Sequence, residues 1–117
     1  MHVLLVDDEE VIHDTLGVYL SDCGMKVESA VNGVDAMETV VNSNHDLVIA
    51  DMRMPRLDGL ALLRKLLDKR PELPVVMISG HGDDEMKDSA LRAGASAFLT
   101  KPFQLRQIRE LVLNLTS

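Results

Sequence analysis

A chain of 117 residues, 46% of them hydrophobic, is long enough for one domain with a real core and too apolar for disorder. Its 12 basic and 19 acidic residues, net charge -7, argue against direct nucleic-acid binding, because phosphate backbones would be repelled. Cys23 is the only cysteine, which excludes an internal disulfide, and no apolar stretch approaches the ~20 residues of a membrane span. Val3 to Val6 is a continuous apolar run, the pattern of a strand covered on both faces. From Glu10 to Leu20 the period becomes helical, with Val11, Ile12, Thr15, Leu16, Tyr19 and Leu20 recurring, and Asp22-Cys23-Gly24 stops that helix with Gly24 as a left-handed cap. Lys26 to Ala30 is predicted as a short strand. Asn32-Gly33 turns into a helix with Val34, Met37, Val40 and Val41 on one face. Leu47 to Ala50 is a third strand, and Met52 to Asp58 a loop containing Pro55. Gly59 opens a helix with Leu60, Leu63, Leu66 and Leu67 inward, and Pro71 and Pro74 bracket the next turn. A fourth strand spans Val75 to Ile78 and ends at Ser79-Gly80. A weakly amphipathic helix from Asp83 to Ala93 stops at Gly94. A fifth strand covers Ala97 to Leu99, and a last helix runs from Gln104 to Leu115.

Five strands alternating with five helices imply right-handed crossovers and a parallel sheet. Ligand sites in such sheets lie beyond the carboxyl ends of the strands. Asp7 and Asp8 follow the first apolar run, Asp51 the third, and Lys101-Pro102 the fifth. Three carboxylates crowded at one edge repel one another, so a divalent cation is their natural partner, and an adjacent lysine completes the parts of a phosphoryl-transfer site.

This ordered set, with the Met54-Pro55 loop, Asp58-Gly59, Ser79-Gly80 and Phe98, resembles the receiver domain of two-component response regulators over essentially the whole chain, residues 1–117. The resemblance implies a flavodoxin-like, doubly wound α/β fold: a five-stranded parallel sheet of order 2-1-3-4-5 with five helices. It implies that Asp51 is the phosphoacceptor. Asp8 and Asp51 would bind Mg²⁺ or Mn²⁺ directly, Asp7 through a water, and the backbone carbonyl of Arg53 would be a further ligand. Lys101 would neutralise a phosphoryl oxygen and Ser79 would hydrogen-bond another. Ser79 and Phe98 would be the switch residues, changing the surface of the fourth helix, fifth strand and fifth helix. Phe98 would need no hydroxyl partner when turned inward. Arg53 and His81, two residues after Asp51 and Ser79, would tune phosphoryl lifetime, and neither is an acid or amide that would orient an attacking water, so a persistent phosphoaspartate is expected.

The implied partners are a histidine kinase or histidine phosphotransfer protein, and an output domain or downstream protein. With Cys23 the only cysteine, a reducing cytoplasm is the simplest home, and the resemblance makes the surface of the fourth helix, fifth strand and fifth helix an option for homodimerisation. The run Ser79-Gly80-His81-Gly82-Asp83 resembles receivers of nitrogen-regulator-type transcription activators, and also occurs in kinase-attached and stand-alone receivers. The start at Met1, close to the first strand, fits a natural amino terminus.

Other readings compete. Asp7 to Glu10 on their own fit an acidic first helical turn favoured by the helix dipole. An aspartate-nucleophile phosphatase of the haloacid-dehalogenase type would need Asp two residues after its nucleophile, where this chain has Glu9 or Glu10, and would leave Asp51 idle. A phosphorylation-independent binding module would keep the fold but not need the complete set of site residues. His2, His13 and His45 show no metal-ligand spacing with a cysteine and read as surface or satisfied residues.

Overall fold

The apolar run at the amino end forms strand β1 (His2–Val6), and Val3 to Val6 are fully buried because neighbours cover both edges and both faces. In this computed structural model, residues 1–54, 57–80 and 84–116 are described, without the side chains of Arg53, Met54 and Leu57. The lifetime position His81 lies outside the described residues, as do Pro55 and Asp83.

β1 pairs in parallel with β2 (Lys26–Ala30) on one side and β3 (Leu47–Asp51) on the other. β3 continues to β4 (Val75–Ser79), and β4 to β5 (Ala97–Thr100). The order is therefore 2-1-3-4-5, as the resemblance implied. Alternate residues serve opposite faces. Leu4, Val6, Val48, Ala50, Val75 and Met77 build one core layer, and Val3, Leu5, Leu47, Ile49, Val76 and Ile78 the other.

The helices divide between these layers. The first, α1, runs through Glu10–Ile12, His13–Gly17 and Val18–Asp22, its middle segment wound as a π-helix. It packs Leu16 and Leu20 beside Ile108 and Val112 of α5 (Leu105–Thr116). On the opposite face lie α2 (Gly33–Asn42), α3 (Gly59–Lys69) and α4 (Asp84–Arg92), contributing Ala36, Val40, Leu62, Leu63, Leu66 and Ala90. Each buried leucine contributes on the order of 2 kcal/mol. Caps set two of the starts. The Asn32 side chain accepts from the Asp35 N–H, and the Asp35 carboxylate accepts from the Val31 N–H one residue earlier; together they open α2. Asp58 accepts from the Leu60 N–H to open α3.

Several expectations need correction. Val11, Val34 and Val41 are exposed rather than inward. In α2 the buried stripe is Gly33, Ala36 and Val40, and the two exposed valines each lie next to it in sequence, about 100° round the helix. In α1, Ile12 takes the inward side that Val11 was expected to share. In α3, Leu62 is fully buried and Leu60 and Leu67 only half so. The segment expected to be pure loop contains a small antiparallel ribbon, Arg53–Met54 against Leu57–Asp58. Gly24 does take the left-handed conformation, with φ of 92°, where α1 ends.

Candidate functional site

The site grows from the carboxyl ends of β1, β3, β4 and β5. The Asp7 N–H donates to the Ala30 carbonyl at 3.0 Å, extending the β1–β2 ladder by one residue. Its carboxylate then accepts from the Glu9 N–H at 2.9 Å, which turns the chain into α1. Asp7 is buried as a result, while Asp8 and Glu9 are exposed beside it. Asp51 is the last residue of β3 and is 6% exposed. Asp7, Asp8, Glu9 and Asp51 each bring a carboxylate oxygen within 4.8 Å of the others.

Lys101 reaches the same place from the end of β5. Its N–H donates to the Ser79 carbonyl at 2.7 Å, carrying the β4–β5 ladder past Thr100, and its peptide bond to Pro102 is cis. Its ammonium lies 3.2 Å from Asp51 Oδ2 and 3.8 Å from Asp7 Oδ2. Burial alone would lower the Lys101 pKa, but the charge and hydrogen bond of Asp51, with Asp7 and Glu9 behind, hold it above the ordinary lysine value. The ammonium is therefore charged at neutral pH. Asp7 is shifted upward, first by burial and then by the Asp51 charge, against the Glu9 N–H and Lys101 which pull it down. A carboxylate so placed gains from a further cation.

Ser79 ends β4 fully buried, and its hydroxyl donates to Met86 Sδ of α4 at 3.5 Å. Phe98 is half-buried and packs against the core layer to which Met86 also belongs. Arg53 stands two residues beyond Asp51 at the start of the ribbon. The structure thus brings Asp7, Asp8, Asp51 and Lys101 together directly, and ties Ser79 to Lys101 through the backbone.

Two neighbours were not singled out from sequence. Glu9 joins the carboxylate cluster rather than serving only as a helix-end charge. His13 places Nε2 2.8 Å from the Asp7 carbonyl oxygen, one helical turn into α1. The acidic run Asp7 to Glu10 carried a signal for the first; nothing in the spacing marked the second.

The donor set is four carboxylates, all hard oxygen ligands, two of them buried. That chemistry fits Mg²⁺ or Mn²⁺ better than a softer ion. Asp7, Asp8 and Asp51 are the candidates to hold it, with Glu9 at the rim.

Comparison with known proteins agrees with this arrangement. Residues 3–113 match the family of the response regulator receiver domain. The chain is 35% identical over 108 residues to the response regulator MprA of a Mycobacterium species, covering 92% of this chain and 47% of that protein. It is 39% identical over 109 residues to the response regulator protein PilR of Pseudomonas aeruginosa, covering 93% of this chain and 24% of that protein. The chain spans about half the length of MprA, and less of PilR. Among solved structures, the receiver domain of NtrX from Brucella abortus superposes with a TM-score of 0.93 at 40% identity, covering 97% of each chain. A response regulator receiver domain protein from Clostridium thermocellum superposes with a TM-score of 0.94 at 28% identity, covering 98% of this chain and 93% of that one. With the fold, the acidic edge and the family match in agreement, the chain belongs to the response regulator receiver domain family.

Proposed function

We propose that residues 1–117 form one receiver domain that works as a phosphorylation-dependent switch, with Asp51 as the phosphoacceptor. The observation that carries this reading is the Lys101 ammonium 3.2 Å from Asp51 Oδ2, at the rim of a cluster of carboxylates. The donor would be a phosphohistidine on a histidine kinase or phosphotransfer protein. An Asp51 carboxylate oxygen attacks phosphorus, an O–P bond forms, the N–P bond breaks, and the departing imidazole takes a proton from solvent. Lys101 balances charge on one phosphoryl oxygen, and the Ser79 hydroxyl donates to another. Asp7, Asp8, Asp51 and the Arg53 backbone carbonyl would hold Mg²⁺ or Mn²⁺, which when bound neutralises charge on the transferred group. Since little covalent work remains beyond the attack, positioning dominates. One phosphoryl group is taken per cycle, so the domain acts as a switch and not as a multiple-turnover enzyme.

The switch follows from a bond already present. Redirecting the Ser79 hydroxyl toward a phosphoryl oxygen removes its bond to Met86, and so loosens β4 from α4. Phe98, packed on the same layer, can then move into the space and change the face formed by α4, β5 and α5. That face would control an output domain or partner protein, or a second copy of the domain. The relatives' names, including the C4-dicarboxylate transport transcriptional regulatory protein DctD of Rhizobium meliloti, support transcription regulation as the role, and the cytoplasm is the proposed setting. Arg53 and His81 remain the proposed lifetime positions.

The test is intact-mass measurement after incubation with acetyl phosphate or phosphoramidate. One phosphoryl adduct is expected in the wild type with Mg²⁺, and none without Mg²⁺ or in Asp51→Ala. Failure of the wild type to form an adduct with any donor, while it binds Mg²⁺, would favour a fold-only binding module.

A further inference from the structure

At the opposite end of the sheet, three residues far apart in sequence converge. His2 begins β1, Glu28 lies within β2, and His45 precedes β3. In the β1–β2 register His2 pairs with Lys26, so Glu28, two residues on, lies on the same face as His2. His45 comes from the α2–β3 connection on that side. Its Nε2 is 2.9 Å from Glu28 Oε1, and His2 Nε2 is 3.1 Å from the same oxygen. Their donor atoms all lie within 4.8 Å of one another. The distance from His2 to Asp7 is about 16 Å at ~3.3 Å per strand residue, so this cluster is separate from the acidic edge.

We propose that His2, Glu28 and His45 form a site for a borderline divalent cation of the zinc class, bound through the two Nε2 atoms and one Glu28 oxygen. Two imidazoles and one carboxylate, with a fourth position left to water, is a donor set that zinc takes. Tetrahedral bonds of ~2.0–2.1 Å would separate donor atoms by about 3.3 Å, within a few tenths of the 3.1 and 2.9 Å that separate the two Nε2 atoms from the Glu28 oxygen. The cluster also has an unmet need. His2 Nε2 is buried and, although 3.1 Å from Glu28 Oε1, lies off the line of a hydrogen bond. His45 has a fully buried side chain whose Nε2 is hydrogen-bonded to the same Glu28 oxygen, so it too is aimed into the cluster. A buried ring nitrogen such as His2 Nε2 is normally satisfied, and a cation on its lone pair would satisfy it.

The surroundings hold the ligands in place. The His2 N–H donates to Asp46 Oδ2 at 2.7 Å, and the Asp46 N–H donates to the His2 carbonyl at 2.7 Å. This exchange locks the start of β1 to the residue after His45. The two rings lie against each other with centroids 4.1 Å apart. Glu28 is 42% exposed and provides the way in. Thiolate is absent from the cluster, so the softest ions are disfavoured.

The experiment is titration of the metal-free protein with Zn²⁺ by calorimetry, in excess Mg²⁺ to fill the acidic edge, beside His2→Gln and Glu28→Gln. Circular dichroism confirms that each variant folds. One Zn²⁺ per wild-type chain is expected, at least ~10-fold weaker in each variant, by the scale of lost support around metal ligands. Co²⁺ in place of Zn²⁺ should give the visible absorption of a tetrahedral ion in the wild type alone, and proton spectra should move the His2 and His45 ring signals together. Absence of Zn²⁺ binding under excess Mg²⁺, or binding in either variant as strong as in the wild type, would overturn the proposal.

Discussion

The Lys101 ammonium lies 3.2 Å from Asp51 Oδ2 although fifty residues separate them in the chain, and only the parallel alignment of β3, β4 and β5 makes the contact. Under the proposed function Lys101 would compete with a bound cation for Asp51 and would also serve the phosphoryl group. Its removal should therefore separate the two roles. In Lys101→Ala, Mg²⁺ affinity measured by calorimetry should hold or rise. Uptake of phosphoryl from acetyl phosphate should fall about 10²-fold, the scale for losing one charge-stabilising donor. Parallel loss of both would mean that Lys101 only maintains the fold.

The strand ends were readable in the sequence because each acidic residue or lysine follows an uninterrupted apolar run. Val3 to Val6 before Asp7 and Leu47 to Ala50 before Asp51 have no other reading in an alternating chain. What failed lacked such a signal. Arg53–Met54 and Leu57–Asp58 pair over two residues each, too few for any period to show. Val34 and Val41 look like core residues until Gly33 and Ala36 are seen to give α2 a narrower, closer face. His2 and His45 are 43 positions apart, and it takes the β1–β2 and β1–β3 pairings with the Asp46 clasp to bring them to Glu28. Roles at Asp51 came from resemblance; the distances came from the fold.

Replacing Ser79 tests the proposed switch apart from metal binding. In Ser79→Ala the bond to Met86 Sδ is lost while the carboxylate cluster is untouched. Mg²⁺ binding should be unchanged. Amide chemical-shift changes across α4, β5 and α5 on phosphorylation should shrink relative to the wild type. Undiminished changes at those amides would show that the Ser79 hydroxyl does not carry the switch.

Gly59 fixes the segment after Asp51 by close contact. A Cβ built there would collide with Met52 Cα and fall 2.7 Å from its carbonyl oxygen, both backbone atoms, and the Gly59 N–H donates to that oxygen at 3.0 Å. Gly59→Ala should cost about 1–3 kcal/mol in urea unfolding, the range for overpacking. Because Met52 follows Asp51 directly, Mg²⁺ affinity should weaken as well. A stability equal to wild type would mean that α3 slides away without resistance.

His45 makes stability depend on pH in the metal-free protein. Burial holds its folded pKa below the ordinary value of 6.5. As pH falls through that value the unfolded chain takes a proton that the folded chain does not, so stability present above it declines toward the folded value. Glu28 acts lower: chiefly the His45 hydrogen bond holds its pKa below 4.5, and that contribution is present above 4.5 and lost as pH falls through the folded value. With chelator present, the urea midpoint should drop between about pH 7.5 and about pH 5.5, and His45→Asn should flatten that slope. A wild-type midpoint constant over this interval would place the His45 pKa at its ordinary value.

Chemical mapping of the acceptor bears most directly on the role of Asp51. Protein phosphorylated by acetyl phosphate with Mg²⁺ would be reduced with borohydride, which converts an aspartyl phosphate to homoserine, and its peptides sequenced by mass spectrometry. Reduction at Asp51 alone is the expected result. Reduction at Asp7 or Asp8 with Asp51 intact would contradict it.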